Sequence, residues 1–290
     1  MSETIAFRPG FVHGIVNDAT IGSSTVRDEL QEYFDVAATA SLYAPIPAPT
    51  SIDDWLAKED VSEQTFDDWQ DDGFKPITGP VVVLPIGPMN GGPDLAIMKK
   101  YVTAFFLGVD VVVLDEAKIR SSIYKTSIKY GDQDYVLRQR KGHAYTANKY
   151  EDGFHQYLAD SLLRICIQCL RDTKAFCVVG ITMLDLYSSE DDDEEFTMGL
   201  ADPDNFVTIC SFARYLPKFQ LNLKPKYRNE EEDKDNGKDL TASQLTKLVT
   251  LRGVVTMTHE ILHLFGVRHC VYNSCMMQGR YTMITFARRD

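Results

Sequence analysis

Three of the chain's six histidines lie close together near the end of the sequence. His259 and His263 are four positions apart, Glu260 directly follows the first of them, and the segment continues to Gly266 and His269. On a helix, residues four apart lie one turn above each other on the same face, so both imidazoles can reach one ion. A glycine at the helix end lets the chain turn sharply, so that His269 can return as a third ligand. The complete pattern is H-E-x-x-H-x-x-G-x-x-H.

The chemistry that this pattern predicts is metal-assisted hydrolysis of an amide bond. Three histidine ligands leave the fourth tetrahedral position of Zn²⁺ open for water, as in catalytic rather than structural sites. Zinc lowers the pKa of its water to about 7, and Glu260 is placed to take the proton as general base and to hand it to the leaving amine. The alternative interpretation is that the histidines are satisfied core residues and Glu260 is a surface carboxylate. The glycine and the third histidine in register favour the metal site.

The helix that must carry these ligands has signals at both ends. Thr241 followed by Gln244 fits a capping box. The pattern predicts a helix from about residue 242 to residue 265, ended by Gly266 in the left-handed conformation. Residues 254–265 are apolar nearly all round, which predicts a buried helix whose polar side chains need partners.

The sequence upstream of this helix alternates between strand and helix patterns. The segments "PVVVLPIG", "PDLAIMKKYVTAFFLG" and "VDVVVLDEAKI" predict a β-α-β unit with two parallel strands. The segment "DGFHQYLADSLLRICIQCL" predicts a second amphipathic helix, and "FCVVGITMLDLY", "FTMGLAD" and "FVTICSFARY" predict further strands. Cys166 and Cys169 lie on the apolar stripe of that helix, where core packing is the favoured interpretation.

Composition and charge restrict the possible partners. The formal net charge is −12 and the isoelectric point is near 5.0, with a run of carboxylates at residues 190–195. Nucleic acid and anionic lipid would be repelled by such a chain, and no segment approaches the roughly 18 consecutive apolar residues of a membrane helix. Six cysteines without a secretory signal are better interpreted as free thiols or metal ligands than as a disulfide framework. We therefore expect an intracellular protein, cytoplasmic or nuclear, with no nucleic-acid or membrane partner.

The residues after the third histidine narrow the family. Cys270 directly follows it, four residues separate Cys270 from Cys275, and Met276 comes next, giving "HCVYNSCM". This closely resembles the archaemetzincins, a branch of the metzincins whose signature continues with H-C-x4-C-M and then x17-C-x-x-C. The segments "GITMLDLY", "FTMGLAD" and "CSFARY" look like the family's strands before the active-site helix, and "YAPIPAPTSIDDWLA" is similar to the N-terminal extension of eukaryotic members.

The resemblance implies an α/β fold of the metzincin type. We expect a twisted mixed sheet, mostly parallel with an antiparallel edge strand, and a long active-site helix. The metallopeptidase domain is expected at residues 78–290, and an N-terminal extension at residues 1–77. The edge strand, residues 196–202, would align an extended substrate, with ordinary pairing inside the sheet as an equally open interpretation. Met276 would be the Met-turn residue beneath the zinc ligands, with Met277 as the weaker candidate and plain core packing as the alternative.

A second, structural zinc site belongs to the same family pattern. There Cys270 and Cys275 join a later C-x-x-C to form a closed four-cysteine site. That C-x-x-C would lie beyond Asp290, so two of the four cysteine ligands are absent from this sequence. We therefore expect one zinc per chain, at the catalytic site, with Cys270 and Cys275 as incomplete structural ligands.

The leading prediction is a zinc-dependent metallopeptidase acting on peptide or protein substrates, and the resemblance implies activity that includes aminopeptidase-like hydrolysis. A zinc-bound binding or scaffolding protein with weak catalysis is the alternative, and the presence of Glu260 speaks against it, since a binding module needs no base. Hydrolysis of a non-peptide amide would share the same chemistry. The acidic run at residues 190–195 could favour substrates with a basic residue or a free N-terminal amine, although a solvated loop is the commoner role.

Overall fold

The computed structural model describes residues 64, 66–71, 79–106, 109–121, 126–141, 155–189, 196–216, 240–270 and 276–278. By their internal contacts the residues form two compact units, Pro76–Leu264 with Met283–Asp290 and Met1–Lys75 with Phe265–Thr282. The expected boundary between an extension and a peptidase domain after residue 77 stays a prediction.

The described elements alternate between strands and helices along most of the chain. In chain order they are α1 (Phe66–Asp71), β1 (Val81–Pro85), α2 (Leu95–Phe105), β2 (Val111–Val113), β3 (Lys118–Ser121), β4 (Thr126–Tyr130), β5 (Gln133–Val136), β6 (Gln139–Lys141), β7 (His155–Leu158), α3 (Ala159–Asp172), β8 (Cys177–Thr182), β9 (Asp185–Tyr187), β10 (Gly199–Asp202), β11 (Val207–Ser211), a 3-10 helix (Ala213–Tyr215) and α4 (Ala242–Leu264).

The larger unit is built on a five-stranded sheet in the order β10-β11-β8-β1-β2. The pairs β11/β8, β8/β1 and β1/β2 are parallel, and β10 pairs antiparallel with β11 at the edge. The inner strands β1, β8 and β11 are buried along their whole length, as expected for parallel strands covered on both faces. The predicted fold class, a mostly parallel mixed sheet with an antiparallel edge strand and a long C-terminal helix, is confirmed. So is the β-α-β unit formed by β1, α2 and β2.

Helices α3 and α4 cover opposite faces of this sheet. Ile209 of β11 lies in the apolar core with Leu162 of α3. Its neighbour Cys210 points to the other face, because successive residues of a strand alternate. Cys210 is paired with Gly199 of the edge strand, and Gly199 faces Glu260 of α4. The edge strand and α4 therefore meet on the face opposite α3.

Several predicted elements are divided in the structure, as two examples show. The segment predicted as one amphipathic helix begins as strand β7, and helix α3 starts only at Ala159. The segment predicted as one strand, "FCVVGITMLDLY", forms β8 in the main sheet and β9 in a second sheet with β6 and β7. The reason in both cases is pairing with distant residues, since β7 pairs with β6 and β9, and such tertiary contacts override local propensity.

Helix α4 ends one residue before the predicted position and begins with the predicted cap. The backbone N–H of Thr241 donates to Oε1 of Gln244 at 2.9 Å, and the backbone N–H of Gln244 donates to Oγ1 of Thr241 at 3.3 Å. At the other end, Gly266 has a φ of 78°. This is the left-handed conformation that commonly ends a helix. None of the helices in the described part of the chain has the length and hydropathy needed to cross a membrane.

A buried ion pair fixes the segment that follows β11. Arg214 donates from Nε and from a terminal guanidinium nitrogen to the two carboxylate oxygens of Asp185, both at 2.7 Å. The exposed fractions of the two side chains are 8% and 4%. The same guanidinium lies 3.9 Å from the ring centroid of Phe196, just before the edge strand. The pair therefore connects β9, the 3-10 helix and the approach to the edge strand.

We predict that Asp185→Ala lowers the free energy of unfolding by about 3–5 kcal/mol, because it leaves the buried Arg214 guanidinium without its carboxylate. Chemical denaturation measures the change. Asp160→Ala is the matched control, since its pair with Arg164 is exposed (71% and 52%) and is worth less than about 1 kcal/mol. Equal losses of unfolding free energy in the two variants would show that the buried pair of Asp185 and Arg214 has no special stabilising role.

Candidate metal centre

His259 and His263 project from the same face of helix α4. Their Nε2 atoms are 3.0 Å apart, and the ring planes meet at 87° with centroids 4.6 Å apart. Two nitrogens that bind one tetrahedral zinc at about 2.0–2.1 Å lie about 3.3 Å from each other. The helix therefore holds the two imidazoles close to the spacing that a shared ion requires.

The third histidine completes a group of ligand atoms. One ring nitrogen from each of His259, His263 and His269 lies within 4.8 Å of the others, which makes them a group able to hold a metal ion. All three side chains are partly exposed, so water can reach them. Three imidazoles are a donor set that suits zinc, and they leave a tetrahedral ion with one position for a water or a substrate oxygen.

Glu260 lies beside these ligands but faces the sheet. Its side chain is only 8% exposed, which contrasts with the alternative interpretation of a surface carboxylate. Burial raises the pKa of its carboxyl group to about 8. A divalent cation held by the adjacent imidazoles would act in the opposite direction, because an opposite charge favours the ionised form.

The carboxylate of Glu260 packs directly on Gly199 of the edge strand. A Cβ placed on Gly199 would lie 2.5 Å from Cδ of Glu260 and closer still to its Oε1. Such distances are too short for any real side chain, so the Glu260 carboxylate occupies space that only glycine leaves. Gly199 has no predicted role in the sequence. Its position inside the strand segment "FTMGLAD" was nevertheless a signal, since glycine within a strand often marks a close approach.

Comparison with known proteins shows which sequences this chain resembles. No protein-family model matches it. Archaemetzincin-2 of Rattus norvegicus is 28% identical over 256 residues, which cover 82% of this chain and 64% of that protein. The archaemetzincin of Pyrococcus furiosus is 31% identical over 130 residues, which cover 45% of this chain and 56% of that protein. The chain is similar to archaemetzincins over most of its length.

An archaemetzincin from Archaeoglobus fulgidus, whose crystal structure is known, has 16% sequence identity to this chain. The two structures align with a TM-score of 0.41, and the alignment covers 72% of this chain and 92% of that one. The chain spans 64% of the length of rat archaemetzincin-2, which is less than two thirds.

The remaining residues of the archaemetzincin pattern follow His269. Cys270 is partly exposed, and its backbone N–H donates to the carbonyl oxygen of Met277 at 2.7 Å. Cys275 lies outside the described residues. Met276 is half-buried, whereas Met277 is 6% exposed. The assignment of Met276 to the Met-turn, and of Cys270 and Cys275 to an incomplete structural site, stays a prediction.

Another pair of cysteines, on helix α3, has the C-x-x-C spacing of many metal sites. Cys166 and Cys169 lie on the buried face of helix α3, in the apolar core. Burial raises the pKa of both thiols, which keeps them protonated and disfavours metal binding. Their predicted role in core packing is confirmed.

We predict that His259→Ala and His263→Ala each reduce the bound zinc from about one ion per chain to nearly none, because each removes one of the two ligands that the helix fixes. Elemental analysis after equilibration with a weak chelator measures the zinc. The matched control is His155→Ala, an exposed histidine on β7, which should leave the zinc content unchanged. Normal zinc affinity in either of the first two variants would show the ligand assignment to be wrong.

Proposed function

We propose that this chain is a zinc-dependent metallopeptidase that hydrolyses peptide bonds. The observation that carries the proposal is the convergence of three imidazoles beside a buried carboxylate that adjoins, in sequence, one of the ligands. Similarity to the archaemetzincins supports the same class of activity. The activity of the whole protein is a proposal, because the matched region covers only 64% of rat archaemetzincin-2.

His259, His263 and His269 would hold the zinc. When bound, the metal lowers the pKa of a water to about 7 and polarises the scissile carbonyl. Helix α4 fixes two of the imidazoles one turn apart, so their spacing does not have to form when an ion arrives. Such preorganisation limits the cost of assembling the site.

Glu260 is the proposed general base. Glu260 directly follows the proposed ligand His259 in sequence, and its contact with Gly199 holds its carboxylate against the edge strand. From this place it accepts the proton of the attacking water and then donates it to the leaving amine. A binding protein would gain nothing from a buried carboxylate at this position, because burial of an acid costs stability.

The edge strand β10 is the proposed site for the substrate backbone. Among the described strands, β10 pairs with β11 alone in the main sheet, and its four residues are all half-buried. The preceding Thr197 forms a bridge with Leu186, so within the described residues the segment proposed to accept an added strand is Gly199–Asp202. An extended peptide can pair with such an edge through main-chain hydrogen bonds. The contact between Gly199 and Glu260 would bring that peptide close to the base.

Finer features of the activity rest on sequence alone. Aminopeptidase-like action is proposed from the family resemblance, and the acidic run at residues 190–195 lies outside the described residues. Cytoplasmic or nuclear localisation is proposed from the cysteine usage.

The central prediction of the proposal is that Glu260→Gln retains zinc and the fold but lowers peptide hydrolysis by about 10²–10⁴-fold, as expected when a general acid–base group is lost. Hydrolysis of a peptide library, with zinc content measured in parallel, gives both quantities. Undiminished turnover in a zinc-loaded Glu260→Gln protein would exclude the mechanism. Absence of hydrolysis in the zinc-loaded parent would favour the binding-protein alternative.

A second prediction concerns Gly199→Ala. The new methyl group must displace the Glu260 carboxylate, and a misplacement of about 1 Å can reduce catalysis by roughly 10²-fold. We therefore expect kcat to fall by about 10–100-fold, with zinc content unchanged. Gly253→Ala is the matched control, because a Cβ there would meet Phe212 at an ordinary 3.4 Å and would not touch Glu260. Normal kcat in Gly199→Ala would show that the contact has no catalytic role.

A further inference from the structure

The backbone between the end of helix α4 and His269 is held by two side chains from far upstream in the sequence. The indole N–H of Trp69, on helix α1, donates to the carbonyl oxygen of Phe265 at 2.8 Å. The side-chain amide of Gln64 donates to the carbonyl oxygen of Gly266 at 2.8 Å. The same amide accepts from the backbone N–H of Arg268 at 2.9 Å through its Oε1 atom.

These bonds satisfy groups that the helix itself leaves open. The last carbonyls of an α-helix have no partner within the helix, and Trp69 supplies one for Phe265. Gln64 donates to the carbonyl of Gly266 and accepts from the N–H of Arg268, so its amide bonds to the backbone on both sides of Val267. These two bonds fix the conformation of the turn. The Trp69 ring also lies against Gly266, since a Cβ there would be 3.6 Å from its Nε1 atom.

The segment held in this way leads directly to the third imidazole. His259 and His263 are placed by the helix, but His269 depends on the turn made by Gly266 and the residues after it. On its other side, the backbone N–H of Cys270 is bonded to the carbonyl of Met277. The backbone is thus fixed immediately before and immediately after His269.

We propose that Gln64 and Trp69 are positioning residues for the metal ligand His269, and that they increase the affinity of the chain for zinc. This inference rests on the proposed zinc site. The sequence alone places Gln64 and Trp69 in an N-terminal extension. The inference gives both residues a role in zinc binding. Groups that orient metal ligands through hydrogen bonds typically change metal affinity by about 10–100-fold when they are lost.

The test is the zinc dissociation constant of the purified full chain, measured by competition with a chromophoric chelator. Gln64→Ala removes both bonds to the turn, and Trp69→Phe keeps an aromatic ring but removes the N–H donor. We expect each variant to bind zinc about tenfold more weakly than the parent. The matched control is Gln70→Ala, an exposed glutamine on α1, which should bind as tightly as the parent.

A double-mutant cycle separates positioning from a general loss of stability. In a His269→Ala background, adding Gln64→Ala should cause no further loss of zinc affinity, because the ligand that Gln64 positions is already gone. An equal tenfold loss in that background would overturn the inference, and so would parent-like affinity in both Gln64→Ala and Trp69→Phe. These results leave the proposed function intact if the parent binds zinc and hydrolyses peptides. A parent that binds no zinc would overturn both.

Discussion

The helical period of α4 is the constraint on which the site depends. It places His259 and His263 one turn apart, with 3.0 Å between their Nε2 atoms, and it turns the intervening Glu260 away from them toward the sheet. Two ligands and a neighbouring carboxylate thus receive their relative positions from one regular element. Only the third histidine needs another means of support, which the turn at Gly266 and its hydrogen bonds provide.

Three threonines of helix α4 form hydrogen bonds that hold the helix in the fold. Oγ1 of Thr250 accepts from the backbone N–H of Asp94 at the start of α2, at 2.8 Å. Thr256 shares a hydrogen bond with the hydroxyl of Tyr215, and Thr258 donates to the carbonyl of Val254 within the helix at 2.7 Å. Each bond removes the cost of a buried polar group without a partner. The same contacts tie α4 to α2 and to the 3-10 helix after β11.

Sequence patterns were informative where the cause of a structure is local. The bounds of α4 follow from the capping box of Thr241 and Gln244 and from Gly266, and the β-α-β unit follows from its β-branched runs and the helical segment between them. Strands β7 and β9 were not predicted as separate elements, because short strands are defined by partners that lie far away in the chain. The spacing of His259 and His263 predicted that the two imidazoles lie together for the same local reason as the helix itself.

The contacts around the site depend on tertiary structure and have weaker signals. Gly199 offered one, a glycine within a strand, whereas no pattern connects Gln64 or Trp69 with residues some two hundred positions later. A side-chain amide or an indole can bond to any nearby backbone, so its partner follows only from the fold. Sequence therefore pointed to the candidate ligand group more clearly than to the residues around it.

X-ray absorption at the zinc edge, on protein loaded with one equivalent of zinc, is the most direct test of binding by three histidines. Nitrogen and oxygen ligands lie about 2.0–2.2 Å from zinc, whereas cysteine sulfur lies at about 2.3 Å, so the two kinds of ligand are distinguishable. We expect a shell of three imidazole nitrogens and one oxygen, with no sulfur. A shell dominated by sulfur would contradict the ligand assignment, because the zinc would then be bound by cysteines rather than by His259, His263 and His269.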